Sequence, residues 1–170
     1  MCPLGPNSAD RSAFTATFAG VFEHSPWVAE RAFERGPFET VEELHAAMCA
    51  VVREAAAEEQ LKLIRAHPDL VGRAALSGTL TSESQREQAS AGLGDLSAEE
   101  IALFQRYNEQ YKDRFGFPFI ICARENKKES IQGAFPVRLG QTPEQEMRTA
   151  LGEIAKIAWF RLSDLFREVP

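Results

Sequence analysis

The 170-residue chain has few cysteines and histidines, and this scarcity argues against several kinds of site. Its three cysteines, Cys2, Cys49 and Cys122, are an odd number with no Cys-x-x-Cys pair, so neither a disulfide framework nor a zinc knuckle is indicated. The three histidines form no His-Glu-x-x-His pattern and no pair on one helix face. We therefore expect reduced thiols and no transition-metal centre.

Long apolar runs and an excess of positive charge are also missing. No stretch approaches the ~20 consecutive apolar residues that cross a bilayer, and residues 1–7 have neither the basic start nor the apolar run of a secretion signal. The formal net charge of -6 argues against binding to a phosphate backbone, which needs clustered lysines and arginines. The composition predicts a cytoplasmic protein with no membrane or nucleic-acid partner, although a few local cations could still bind a small anion.

The chain does contain apolar residues at helical spacing along almost its whole length. With 44% hydrophobic residues it is long enough for one domain with a core and short for two. Residues 1–9 are polar and contain prolines and a glycine, and they are predicted to form a flexible arm. Residues 10–170 are predicted to form a single all-α domain, a compact bundle of about eight helices.

Capping residues mark most of the predicted helix starts. Asp10 can cap a first helix whose apolar stripe reaches Phe22, and Thr142 followed by Pro143 predicts a final helix of about twenty-five residues. Capping boxes are predicted at Thr40 with Glu43 and at Ser97 with Glu100, a short helical turn at about 70–75, and a helix from about Ser82 to Gly92. Gly133 and Pro136 are expected to end or kink early the helix that begins near Asn126.

One short segment, Phe117–Ala123, does not fit the helical pattern. It is continuously apolar, follows Gly116 and contains Pro118, so it is predicted to be extended. A single extended segment has no strand partner for its backbone N–H and C=O groups. Either helices bury it or a ligand meets it.

His67 is the first candidate for chemistry, because it directly precedes Pro68. A proline disfavours the α-helical conformation in the residue before it. His67 is therefore predicted to lie where a helix ends, with its ring facing a cleft. The alternative is that His67 only caps the preceding helix, where a cation is favoured by the helix dipole.

Polar residues on two predicted helices are further candidates. Ser84, Glu87 and Gln88 are spaced to share one helix face and could converge on a polar ligand, although a solvated helix side is the alternative. Arg161 falls on the apolar stripe of the last helix and needs an anion nearby, which could be Glu87 or a ligand carboxylate. Asn108, on the apolar face of another helix, is expected to have a hydrogen-bonded structural role.

These candidates stand in segments that resemble the 2-oxo-4-hydroxy-4-carboxy-5-ureidoimidazoline (OHCU) decarboxylase family of urate breakdown. The similar segments follow one another in order along nearly the whole chain: Phe22–Val28, His67–Leu70, Ser84–Leu93, Gly116–Arg124, and Glu153–Ala158 with Arg161 and Leu162. The sequence departs from the family at Glu125, where a glycine is common, and at Gly133 and Pro136. These departures concern the edge of the pocket and local helix geometry.

The resemblance implies an all-α, cofactor-free homodimer that converts its substrate to (S)-allantoin with loss of carbon dioxide. It implies His67 as the catalytic acid-base residue, together with Glu87 and Arg161. The residues expected around the substrate are Pro68, Ser84, Gln85, Arg86, Glu87, Gln88, Phe117, Phe119, Ile120, Ile121, Cys122, Ala123 and Arg161. From its place on the helix alone, Arg86 is expected to face solvent.

Two other functions remain open from the residues alone. One is a helical module that binds a small ligand or a protein partner. The other is a ureide hydrolase in which His67 and Glu87 activate water. The hydrolase would release ammonia or a ring-opened product without carbon dioxide.

Overall fold

A computed structural model of the chain describes residues 10–167, apart from the side chain of Ala74. Within this range the backbone forms nine α-helices and no strand, which confirms the all-α prediction. The predicted arm at residues 1–9 lies outside the described residues. The helices are α1 Arg11–Phe18, α2 Trp27–Phe33, α3 Val41–Glu54, α4 Ala57–Ala66, α5 Arg73–Ser77, α6 Ser82–Ser90, α7 Ala98–Phe115, α8 Lys128–Leu139 and α9 Pro143–Arg167.

The described residues divide into two compact units. The first contains residues 10–66 and 158–167, and the second contains residues 67–157. The division falls within α9, between Ile157 and Ala158. The prediction of one domain over residues 10–170 stays a prediction. Among the described helices, none has the combined length and apolarity that crossing a bilayer requires.

In the first unit, α2 packs against both α1 and α3. The Asp10 carboxylate caps α1 by accepting from the Ser12 N–H at 2.9 Å, as predicted. However, α1 ends at Phe18 rather than continuing to Phe22. Val21 and Phe22 are still buried, because the turn after α1 directs them into the core.

In the second unit, α7 begins and ends where the sequence predicts. Ser97 and Glu100 form both hydrogen bonds of a capping box. The helix ends at Gly116, whose φ of 76° is a left-handed conformation that glycine adopts without strain. Phe104 and Tyr111 are fully buried on this helix.

Two boundaries in the second unit differ from the prediction. The helical turn predicted at 70–75 is α5, which begins only at Arg73 because Val71 has a left-handed φ of 54°. The predicted early end near Gly133 and Pro136 is wrong, since α8 continues through both residues to Leu139. Burial of Phe135 and the ion pair of Arg138 with Glu146 hold the last turn in place on either side of Pro136.

Candidate active site

A cavity in the second unit collects most of the residues that the sequence predicts around a ligand. It is bounded by the segment after α4, by one face of α6 and by the extended segment after α7. Its lining consists of His67, Pro68, Leu70, Ser84, Glu87, Gln88, Phe119, Ile120, Ile121, Ala123 and Ile157. Leu70 and Ile157 are the two members that the sequence analysis missed, and both are apolar.

The α6 helix contributes only polar groups to this cavity. Its buried residues are Ser84, Glu87 and Gln88, which are 4%, 7% and 7% exposed. The alternative of a solvated helix side is therefore wrong. Three buried polar side chains on one helix face give the cavity a wall that can form hydrogen bonds with a ligand.

His67 lies at the helix end that its proline neighbour predicts. It follows Ala66, the last residue of α4, and is 8% exposed. An imidazole is the side chain whose ordinary pKa lies nearest neutral pH, so it can take up or release a proton there. His67 can therefore act as an acid or a base on a group held in the cavity.

Side chains from α6 and α7 hold the segment that follows His67. The Gln88 Oε1 accepts from the Val71 N–H at 3.1 Å, and the Gln88 Nε2 donates to the Asp69 carbonyl at 3.4 Å. Asn108 Nδ2 donates to the Leu70 carbonyl at 2.7 Å, so its predicted structural role is confirmed. The Lys112 ammonium donates to the Asp69 carboxylate at 2.5 Å.

Val71 is the strained residue of this segment. A φ of 54° is unfavourable for a β-branched side chain, and Val71 is nevertheless buried. Such strain persists only where surrounding contacts over-determine the conformation. The contacts from Gln88, Asn108 and Lys112 supply that constraint beside the cavity.

Side chains form several of the hydrogen bonds of the extended segment after α7, in addition to the backbone N–H groups of Glu125 and Asn126. The Cys122 N–H donates to Glu153 Oε2 at 3.0 Å, and the Cys122 carbonyl accepts from Asn126 Nδ2 at 2.9 Å. Arg138 Nη1 donates to the Ile120 carbonyl. Helical residues therefore bury and bind this segment, which is the first of the two possibilities left open by the sequence.

Five residues predicted around the substrate do not line this cavity: Gln85, Arg86, Phe117, Cys122 and Arg161. Gln85 and Arg86 are exposed on α6. Phe117 is buried with its ring 6.0 Å from that of Tyr111. Cys122 is buried, and this burial raises the pKa of its thiol to about 11, so the thiol is protonated and unreactive at neutral pH.

Arg161 belongs to the first unit, where it pairs with the Glu23 carboxylate; the sequence predicts an anion beside Arg161. Its Nη1 lies 2.7 Å from Glu23 Oε2 and donates to the Gly20 carbonyl at 3.2 Å. Both members of the ion pair are buried, with Arg161 4% and Glu23 2% exposed. Sequence analysis missed Glu23 because its partner is far away along the chain. The only available signal was its place in the family-like segment Phe22–Val28.

The cavity is small in this structure. Its volume is about 30 Å³, which holds roughly one water molecule. Sites for small organic ligands are typically several hundred Å³. The lining must therefore move apart to admit such a ligand.

A larger cleft of about 830 Å³ in the same unit has a different character. It is lined by Asp69, Gly72, Arg73, Leu76, Ser77, Gln105, Asn108, Glu109 and Lys112. Its acidic and basic groups balance, and Asp69 and Lys112 already form an ion pair. Because the smaller cavity contains the buried polar groups, we take the smaller cavity as the candidate site. The described residues contain no cluster of three or more His, Cys, Asp or Glu that could bind a metal ion.

Comparison with known proteins identifies the family of the chain. The family model for OHCU decarboxylase matches residues 7–163. The chain belongs to the OHCU decarboxylase family. Its members include 2-oxo-4-hydroxy-4-carboxy-5-ureidoimidazoline decarboxylase of Haloferax volcanii, which is 44% identical over 94% of this chain and 93% of the relative.

Two longer relatives carry an OHCU decarboxylase-like part. The uric acid degradation bifunctional protein of Bacillus subtilis is 42% identical over 95% of this chain, which covers 32% of that protein. The crystal structure of an (S)-allantoin synthase matches 93% of this chain and 51% of its own chain, with 32% identity and a TM-score of 0.74.

Proposed function

We propose that the protein decarboxylates 2-oxo-4-hydroxy-4-carboxy-5-ureidoimidazoline to (S)-allantoin in urate breakdown. Membership of the OHCU decarboxylase family and relatives named for this activity support the proposal. The structural observation that carries it is the cavity in which His67 meets the buried Ser84, Glu87 and Gln88. This arrangement provides a proton donor and hydrogen-bonding groups for a polar ring.

The reaction needs few groups besides this proton donor and these hydrogen-bonding side chains. When carbon dioxide leaves, its bonding electron pair must move elsewhere, and the adjacent C=N of the substrate ring can accept it. Many decarboxylases need a cofactor as the electron sink, whereas this substrate carries its own. We therefore propose that the reaction needs no cofactor and that the protein supplies orientation and one proton.

We propose that His67 delivers this proton to the ring carbon. Delivery to one face of the ring carbon fixes the handedness of the product, and a positioned donor is typically worth ~10² to 10⁴ in rate. Glu87 would accept hydrogen bonds from ring or ureido N–H groups. The role of Arg161 is taken from the family resemblance alone, which implies that its planar guanidinium binds the ring or its carboxylate.

The decisive experiment makes the unstable substrate in situ from urate with the two preceding enzymes and follows optical rotation. The substrate decays unaided to racemic allantoin, so a net rotation from excess (S)-allantoin reports enzymatic turnover. We expect this rotation with the protein and none without it. Release of ammonia without carbon dioxide would contradict the proposal and favour a hydrolase.

The role of His67 is tested with His67→Asn, and His45→Asn on α3 provides the matched control. We expect His67→Asn to lose at least 100-fold in kcat because the proton donor is gone, with KM changed little. His45→Asn should keep wild-type turnover. Turnover of His67→Asn within a few fold of wild type would disprove the assignment.

Arg161 is tested with Arg161→Lys, which keeps the charge but loses the two-pronged geometry. We expect a higher KM and slower turnover. The matched control is Arg35→Lys, since Arg35 is paired with Glu54 at the surface. An unchanged KM in Arg161→Lys would exclude a direct contact with substrate.

We also propose that the protein is cytoplasmic, as its composition indicates, and that it is a homodimer, as the family resemblance implies. Two buried free thiols, Cys49 and Cys122, support a reducing compartment. Sedimentation over a range of concentrations tests the dimer. A monomer at every concentration would rule it out.

A further inference from the structure

A buried ionic network lies behind the wall of the candidate active site. Arg138 on α8 and Glu146 on α9 form an ion pair, with Arg138 Nε donating to Glu146 Oε1 at 2.7 Å. The Tyr111 hydroxyl on α7 donates to the same oxygen at 2.5 Å. Glu146 is 0% exposed and Arg138 8% exposed. Three helices thus meet at one carboxylate that solvent does not reach.

The arginine of this network is also bound to the extended segment that lines the cavity. Arg138 Nη1 donates to the Ile120 carbonyl, and its Nη2 lies 3.5 Å from the Tyr111 hydroxyl. The guanidinium carbon lies 4.2 Å from the centroid of the Phe119 ring. The Phe119 ring also stacks on that of Phe135, with centroids 3.9 Å apart, and meets the Tyr111 ring edge-on at 5.4 Å. Both Phe119 and Ile120 line the cavity.

Stability alone does not explain why these charges are buried. Removing two charges from water is costly, and apolar residues of similar volume often replace a buried ion pair without loss of stability. What an apolar pair could not do is donate to the Ile120 carbonyl. It also could not present a flat cation to the Phe119 ring. The segment has no strand neighbour, so this carbonyl depends on a side-chain donor.

We propose that Arg138, with Glu146 and Tyr111, is a positioning device that fixes Phe119 and Ile120 in the cavity wall. Glu146 and Tyr111 hold the guanidinium in one orientation, and Arg138 holds the segment. These residues do not touch the substrate and act through the wall. The catalytic consequence rests on the proposed decarboxylase function, whereas the effect on the segment does not.

The central test replaces both charges together, in Arg138→Met combined with Glu146→Leu. Removing Arg138 alone would leave Glu146 charged and buried, and such a variant could fail to fold. The double variant leaves no unpaired charge, so we expect a melting temperature near that of the wild type. We expect its kcat to fall 10-fold or more, with a smaller change in KM, because misplacement of the wall disturbs reaction geometry.

Hydrogen exchange gives a readout that needs no activity. In the double variant, the amides of residues 119–123 should exchange faster, while those of α3 in the first unit should not change. Leu44→Ala is the control for general destabilisation, since Leu44 is fully buried on α3. We expect this variant to melt earlier and to keep wild-type kcat in its folded fraction.

Arg138→Lys provides a second route if the double variant does not fold. Lysine keeps a charge for Glu146 but cannot donate to Glu146 and Ile120 with one planar fork. We expect a folded protein with faster exchange at residues 119–123 and intermediate kcat.

Wild-type kcat, or unchanged exchange at residues 119–123, in the folded variant would overturn the inference. A uniform rise in exchange would also overturn it, because the network would then be merely structural. If the wild-type protein itself does not decarboxylate the substrate, the proposed function fails and the exchange pattern still decides whether the network holds the segment.

Discussion

At the scale of single residues, the candidate site contains one unfavourable local state. Val71 adopts a left-handed backbone in the segment that follows His67. This conformation is unfavourable for a β-branched residue, and it persists because neighbouring side chains hold the backbone in place. The buried thiol of Cys122 is an ordinary state for a cysteine, but burial changes its titration.

The strain at Val71 predicts an unusual order of substitutions. At an ordinary buried helix position such as Val52, the glycine variant should be less stable than the alanine variant by about 1 kcal/mol. At Val71 the left-handed φ penalises alanine by about 1 to 2 kcal/mol but does not penalise glycine. We therefore expect Val71→Gly to be at least as stable as Val71→Ala in urea unfolding. The same order at both positions would show that Val71 is not strained.

The thiol of Cys122 predicts a loss of stability in alkali. Burial raises its pKa from 9.0 to about 11, so the unfolded chain releases the proton first. The protonated thiol contributes to the free energy of unfolding in full below pH 9. This contribution declines as pH rises towards 11, by about 2 to 3 kcal/mol in all. Between pH 8 and pH 10.5, the melting temperature of Cys122→Ala should fall less than that of the wild type. Equal falls would exclude this contribution.

At the scale of elements, local signals predict helix starts better than helix ends. The capping boxes and Pro143 mark their helices correctly, because a cap is a contact between near neighbours. Gly133 and Pro136 are misleading, because their local penalties are smaller than the gain from burying Ile131 and Phe135 on the same helix. Tertiary packing thus decides where α8 ends.

Glycine substitutions test this balance on α8. Gly133 is exposed, and a methyl group there would meet no atom within 4 Å. We expect Gly133→Ala to stabilise the protein by about 0.5 to 1 kcal/mol, or a few degrees in melting temperature. Gly72→Ala, in the segment before α5, should destabilise the protein, since the added Cβ would lie 2.6 Å from Asp69 Cβ. A destabilised Gly133→Ala variant would contradict this account.

At the scale of the whole molecule, the sequence predicts the all-α fold and most of the cavity lining. His67 and the α6 residues are recognisable because proline and helical spacing are local features. The sequence indicates that Arg161 needs an anion but does not identify Glu23, and it does not indicate that Arg138 and Glu146 are buried together. Glu146 illustrates this, since it is fully buried although it stands in the first turn of α9, where acidic residues are common.

Amide hydrogen exchange measured along the chain should show which of the two cavities binds the ligand. Because the candidate site holds only about 30 Å³, its lining must reorganise around a ligand. With saturating (S)-allantoin, we expect slower amide exchange at residues 67–71, 84–88 and 119–123. Protection confined to residues 73–77 and 105–112 would instead place the ligand in the larger cleft.

The polar inward face of α6 also has a thermal consequence. Apolar contact gives most helices the free energy that keeps them docked, and α6 buries no apolar side chain among its described residues. This helix should therefore detach before the rest of the molecule melts. On gradual warming, catalytic failure would precede loss of the circular dichroism signal, and cooling from that intermediate range would restore the activity.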